Sequence, residues 1–413
     1  MKKNNKLMMA IVLGLVLGAC QTNNNSGQQM EDVEKGSFAY DLQFLKEKDS
    51  VIVLTAANGA AQVIVSPKYQ AKVFTSTAEG LEGRSFGWIN YDAFDGEPDP
   101  HMNGYGGEDR LWLGPEGGKF SLFFQPNTTM EFENWHTPAA IDTESWDLLS
   151  ADDKKVSMKK DMTLLNYAGT ELELMVDREV EIIEPDAIES LLGISLNDSV
   201  KSVGFHTKNV LTNTGDFEWD ETTGAPCMWN LDMFSPSPKT VIVVPYREEA
   251  SGKVATTDYF GEIPKDRVHY ADGTLYLKAD GKHRGKLGIP PQRATEFAGS
   301  YAADNGVLTI THFDVDNNGT YLNQEWTPDK DPLIGDAINA YNDGPLEDGS
   351  QMGPFYEIES VSPAAFLKPG DKLTHKHSVF HFTGDKNTLN SISTKILGVS
   401  LEEIEAQFSN SSN

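Results

Sequence analysis

The chain has 413 residues, with 62 acidic against 34 basic side chains and a formal net charge of −28. That balance repels nucleic acid and anionic membrane surfaces, and there is no basic patch with interleaved aromatics to offset it. Neutral sugars, cations or basic partners fit better. With only two cysteines, Cys20 and Cys227, a disulfide-rich scaffold is excluded and stability falls to a packed core.

Lys2, Lys3 and Lys6 precede an apolar run over 7–19, which has the form of an export signal and is too short to span a bilayer as a helix. The ending Leu17-Gly18-Ala19-Cys20 resembles a bacterial lipobox. That resemblance implies cleavage before Cys20 and a lipid on its sulfur, so that the membrane is met through the anchor alone. Gln21, rather than an aspartate, after the cysteine implies an outer-membrane lipoprotein, periplasmic or surface-exposed. With Cys20 acylated, Cys227 has no partner and reads as a small buried apolar residue. The signal covers 1–19, and residues 20–36, rich in Asn, Gln and Ser, read as a flexible tether. Residues 37–413 show no second linker and read as one domain, expected to be monomeric.

That domain is a succession of short runs rich in Val, Ile, Thr and aromatics, cut by Gly, Pro, Asn and Asp turns. The runs predict strands over 51–54, 62–65, 71–75, 120–124, 163–167, 172–176 and 203–212. Further strands are predicted over 240–245, 274–278, 306–313 and 320–326, with two more flanking a turn near 369–371. Many strands and few helices indicate an all-β sandwich or barrel. Helix is expected at the end, over 388–397 up to Gly398, then over 401–408 from a Ser400/Glu403 capping box.

The stretch 352–382 concentrates chemistry. Alternate side chains of a strand share a face, so Glu357 and Glu359 point one way and Tyr356 and Ile358 the other. The next strand carries His375, His377 and His381 on one face, which predicts acids and imidazoles on adjacent strands. His375 and His377 also have the i, i+2 spacing of two metal ligands, with a neighbouring glutamate as a third. Asp314, Asp316, Asn318 and Glu325 stand at positions one, three, five and twelve of a calcium-loop spacing. Asn318-Gly319 is equally a hairpin turn, and both flanks read as strands. Lys278, Asp280, His283, Arg284 and Lys286 form a polar cluster of the kind that grips sugar hydroxyls or a uronate, or else a solvated turn. Arg110 and Glu116 bracket Trp112, Trp229 offers a stacking face, and Asn342 sits in a Tyr-Asn-Asp-Gly-Pro loop.

Ile358-Glu359-Ser360, Pro363, the run Phe366-Leu367-Lys368-Pro369-Gly370-Asp371 and His375 resemble the end of galactose mutarotase and aldose 1-epimerase domains. Gly106-Gly107 up to Trp112, and Asn209, Asn213 and Gly215, are similar to the early and middle segments of those domains. The phrases GGEDRLWLGPEGG, MFSPSP and GPFYEIESVSPA resemble uncharacterised bacterial lipoproteins of the same galactose mutarotase-like superfamily. The resemblance implies a β-supersandwich with short C-terminal helices and a carbohydrate ligand. It makes Glu359 the general base; Arg110, Trp229, Asp280, Arg284, Asn342 and Glu357 are the substrate-binding candidates that the residues themselves offer. The family's acid histidine has no counterpart in 227–234, leaving His206 and His312 as the nearest substitutes. Sugar binding in a cleft around Glu359 is therefore the leading expectation, with an aldose 1-epimerase-like enzyme as the alternative. A hydrolase or lyase accessory on the same scaffold is a further alternative. No cofactor is required, calcium being the one candidate.

Overall fold

The computed structural model describes residues 33–409, so the expected signal and Cys20 lie outside the described residues. No helix of the described residues is long and apolar enough to cross a membrane. The first element is α1 (Phe38–Lys48), capped by the Ser37 hydroxyl, which accepts from the Tyr40 N–H at 3.3 Å. Strands β1 (Ile52–Thr55), β2 (Gln62–Ser66) and β3 (Lys72–Thr77) form a small antiparallel sheet, followed by β4 (Arg110–Gly114). Next come β5 (Asp147–Ala151), β6 (Lys155–Leu165), β7 (Glu171–Ile183), α2 (Pro185–Leu192) and the long β8 (Val200–Asn213). The middle of the chain supplies β9 (Cys227–Phe234), β10 (Thr240–Pro245), β11 (Val268–Ala271), β12 (Thr274–Lys278), β13 (Gly285–Ile289) and β14 (Phe297–Ala302). Finally β15 (Val307–Phe313), β16 (Ile338–Asn342), β17 (Tyr356–Val361) and β18 (Lys372–Gly384) lead into α3 (Lys386–Leu397) and α4 (Leu401–Ala406).

Two large antiparallel sheets result. One has ten strands in the order β11-β12-β10-β14-β15-β18-β8-β7-β6-β5; the other has five, ordered β13-β16-β17-β9-β4. They face each other across a core that includes Phe205, Leu211, Trp219, Trp229, Ile358 and Val379. Helices α2, α3 and α4 cover part of the outer face of the larger sheet, through Ile188, Leu389, Ile392 and Leu401. The capping box at Ser400 and Glu403 is present, and Gly398, at φ +76°, ends α3 as the sequence predicts. All five strands of the smaller sheet are buried along their whole length. Loops cover their outer face, and that is where the cleft lies.

The structure corrects several expectations. Residues 120–124 and 320–326 are loops that contribute single bridges, Phe124 to Trp135 and Tyr321 to Ile334. Their alternating pattern comes from aromatics inserted into the core, not from strand pairing. Helix α1 was unforeseen, as was α2, although Pro185 at its start and Gly193 at its end are ordinary helix boundaries. Cys227 is buried, and burial pushes its thiol up to about 12.

The sheets are joined by an internal polar network. Arg178 of β7 is fully buried; it donates to Asp109 Oδ1 at 3.0 Å, to Asn209 Oδ1 at 2.8 Å and to the Ala71 carbonyl at 2.9 Å. Asn230 of β9 donates to the same Asp109 oxygen at 2.9 Å. Burial would raise the Asp109 carboxyl, but the Arg178 guanidinium holds it below the usual carboxylate range. Truncating one member of a fully buried pair strands the other's charge. Arg178→Ala is therefore expected to lower unfolding free energy in urea by about 3–5 kcal/mol. Asp109→Asn added to that background should recover part of the loss, and a single-variant cost below about 1 kcal/mol, the range of surface pairs, would contradict the structural role.

Candidate functional site

Strand parity divides the chemistry of residues 356–381 in two. Tyr356, Ile358 and Ser360 face into the sandwich: the Tyr356 hydroxyl lies 2.8 Å from Ser300 Oγ, and Ser360 Oγ lies 2.8 Å from both His375 Nε2 and His377 Nδ1. Glu357 and Glu359 therefore face outward. The three histidines belong to β18 in the opposite sheet, where His375 and His377 meet the inner side of β17 at Ser360, so the expected acid–imidazole cluster does not form. His377 Nε2 instead meets Asp232 Oδ2 at 2.7 Å, and His381 Nε2 meets Glu108 Oε1 at 2.9 Å.

This interior is electrostatically unusual. Burial pushes Asp232 up to about 7 and His375 down to about 3. Burial opposes charge on His377 too, yet the Asp232 carboxylate raises it above the ordinary imidazole value. Asp109, Asp232 and His377 are the group of side chains that converges as metal ligands would among the described residues. The Arg178 guanidinium already supplies the cation there. His206 and His312, the suggested substitute acids, lie on the outer side of the ten-stranded sheet. His206 is opposite half-exposed Ser378 and is 3.7 Å from Glu181, and His312 is stacked on Phe297. Neither can reach a glutamate of the smaller sheet's outer face.

That outer face carries a cleft of about 220 Å³. Register assembles its floor. Lys286 pairs with Tyr341, and Tyr341 with Glu357; on the other side Trp229 pairs with Trp112, and Leu231 with Arg110. Arg110 donates to Glu357 Oε1 at 2.7 Å while its guanidinium lies 4.3 Å from the centroid of the Trp112 ring. Glu359 sits beneath this layer, fully buried, accepting from Trp229 Nε1 at 2.8 Å and paired with Lys286 Nζ at 3.1 Å. Its other oxygen is buried without a partner. Glu357 rather than Glu359 thus lines the cleft. Burial pushes Glu357 up to about 7, with Glu359 adding to the rise and Arg110 and Lys286 opposing it. Burial likewise raises Glu116, which lines the same cleft.

The walls come from loops. Arg284 lies over Phe260, its guanidinium carbon 3.9 Å from the ring centroid. Trp135 stacks on Trp326 with centroids 5.8 Å apart. His101 is the one histidine among the described residues that lines the cleft. Its Nδ1 lies 2.6 Å from the Trp135 carbonyl and must carry the hydrogen there, which leaves Nε2 as the free nitrogen. Sequence reasoning missed His101, Phe260, Trp135, Trp326 and Phe355, which arrive from separate loops and share no spacing.

Other predicted residues are placed elsewhere. Asp280 is absent from the cleft lining and pairs with Arg267 at 2.5 Å. Asn342 is buried, accepts from the Gly281 N–H at 2.9 Å and donates to the His283 carbonyl at 2.8 Å, which makes it a support for the loop before Arg284. Three of the four calcium-loop candidates hold the chain itself through their side chains. Asp314 accepts from the Lys376 N–H at 2.9 Å, Asp316 from the Asn318 N–H at 3.0 Å, and Glu325 is paired with Lys330.

A carboxyl raised in the folded state binds its proton more tightly there than in the unfolded chain. Stability from Glu357 is therefore full below the ordinary glutamate value and falls as pH rises from about 4.5 to about 7. Glu357→Gln should remove this decline, so its stability relative to the parent chain improves between pH 5 and pH 8 in matched urea melts. A difference that stays flat across that window would contradict the assignment.

In fold, the two-sheet arrangement is similar to a protein of Synechocystis sp. PCC 6803, with a TM-score of 0.50 at 12% identity over 82% of this chain and 96% of that one. It is also similar to a galactose mutarotase-like protein from Lactobacillus casei ATCC 334, with a TM-score of 0.46 at 11% identity over 80% of this chain and 100% of that one. At such identities the likeness is one of fold alone: an all-β sandwich of two large antiparallel sheets with few short helices. No curated protein matches the sequence. The model of a family of unknown function, DUF6786, matches residues 36–408, and the chain belongs to that family.

Proposed function

We propose that this chain recognises a carbohydrate in the cleft over β4, β9, β13, β16 and β17. The observation that carries this reading is the setting of two ion pairs, Arg110–Glu357 and Lys286–Glu359, against the rings of Trp112 and Trp229. A sugar ring presents hydroxyls at its edge and C–H groups on its faces. Arg110, Lys286 and Glu357, which line the cleft, answer the first and aromatic faces the second. On the lipobox reading Cys20 carries the lipid, and the cleft belongs to a membrane-tethered receptor for sugars.

A second reading, aldose 1-epimerase-like turnover, is favoured by one observation: Glu357 is held near neutrality beside a cleft that also contains His101. In that reaction the anomeric hydroxyl gives its proton to the Glu357 carboxylate and its electron pair forms the carbonyl. The bond from the anomeric carbon to the ring oxygen breaks, and the ring oxygen takes a proton from protonated His101. Closure on the other face of the carbonyl reverses each transfer. The base on this reading is Glu357, with the Glu359–Lys286 pair behind it.

Titration with D-glucose and D-galactose, followed by tryptophan fluorescence and by NMR of the anomers, tests both readings. Binding alone predicts saturable quenching, weakened at least about tenfold by Trp112→Ala, with α/β equilibration no faster than in buffer. Equilibration that exceeds buffer and is lost in Glu357→Gln selects turnover. If neither these neutral sugars nor their uronic acids perturb the tryptophans, the carbohydrate reading fails.

A further inference from the structure

Three cationic side chains line the cleft, and two of them are spoken for. Arg110 is matched by Glu357 at 2.7 Å and Lys286 by Glu359 at 3.1 Å. Arg284 has neither an ion pair nor a side-chain hydrogen bond among the described residues, although the chain carries 62 acidic groups against 34 basic ones. Its guanidinium carbon lies 3.9 Å from the centroid of the Phe260 ring, a contact that holds the group without using its N–H donors.

The backbone that presents Arg284 is firmly held. Asn342 grips the preceding residue through the His283 carbonyl, and β13 begins one residue later in register with Asn342. Gly344 packs so closely that an added Cβ would lie 2.4 Å from the His283 nitrogen and 2.5 Å from that of Arg284. Only glycine allows this approach, so the backbone bearing Arg284 is held at two points by the 342–344 segment. A preorganised and unmatched guanidinium costs little further ordering when an anion arrives. The nearby carboxyl groups of Glu116 and Glu357 are both raised by burial, which softens their repulsion of such an anion.

We infer that Arg284 receives the carboxylate of a uronic acid residue, so that the ligand of the cleft is an acidic sugar. This rests on the carbohydrate reading above and narrows it. The planar guanidinium takes both carboxylate oxygens side by side, and the pyranose ring then lies toward Trp112, Trp229 and the Arg110–Glu357 pair.

The test compares D-glucuronate and D-galacturonate with D-glucose and D-galactose by calorimetric titration of the full chain. At least one uronate should bind about tenfold or more tightly than its neutral counterpart, and the preference should shrink as salt is raised. Arg284→Gln should bring that affinity ratio down to about one, and Arg284→Lys, which keeps charge but loses the two-toothed fit, should fall between. Unfolding midpoints of both variants confirm that the fold is kept. Equal affinity for uronates and neutral sugars overturns this inference and leaves the carbohydrate reading standing, as does a uronate preference that survives in Arg284→Gln. An Arg284-dependent preference for sugar phosphates over uronates overturns the carboxylate assignment. Absence of binding by every sugar overturns both readings together.

Discussion

The buried pair of Arg178 and Asp109 determines how the two sheets sit on each other, and the cleft depends on that placement. Arg178 rises from the larger sheet, takes an oxygen of Asp109 just ahead of β4, and shares that oxygen with Asn230 of β9. Neither sheet can slide by one residue without leaving a charge unpaired in a region closed to water, where such a loss is costly. Because strand side chains alternate, every inward partner in this network dictates an outward neighbour. Asp109 precedes Arg110, Asn230 follows Trp229, and Ser360 follows Glu359. The site on the outer face is the other half of the polar core.

The same alternation explains why a cluster that looks single in the sequence is two sites in space. Acids and histidines only a turn apart in the chain occupy opposed sheets, with β17 turning its Ser360 side to the imidazoles and its glutamate side to the cleft. Period-two reasoning correctly placed Glu357 and Glu359 together. It could not tell that β17 and β18 face one another rather than pair, because a sheet crossover leaves no local mark. Nor could it rank the two glutamates. Which of them reaches open space depends on Trp229 and Lys286, contributed by β9 and β13, closing over Glu359.

Legibility followed runs of Val, Ile, Leu and Thr: β3, β10, β12 and β15 are buried nearly throughout and were still signalled. Strands β7 and β8 alternate exposed and buried positions, and the sequence signalled both, though the first only over part of its length. Strands β4, β9, β13 and β16 are buried on both faces, and their mixture of apolar, charged and amide side chains has no period to detect. These are the strands that build the floor of the cleft. Arg110, Trp229, Arg284 and Glu357 were nevertheless found as candidates, because charged and aromatic residues there stand out by chemistry. Asp280 and Asn342 were found by the same rule, and the structure gives them to loop support. The C-terminal helices were legible because Ser400, Glu403 and Gly398 are local signals that need no tertiary context.

If the sugar lies on the outer face of the five-stranded sheet, a crystal structure of the chain soaked with a monosaccharide will show it there. A pyranose ring is expected against Trp112 and Trp229, with hydroxyls within hydrogen-bond reach of Arg110 and Glu357. A sugar bound elsewhere on the molecule, with this cleft left to solvent, would contradict it.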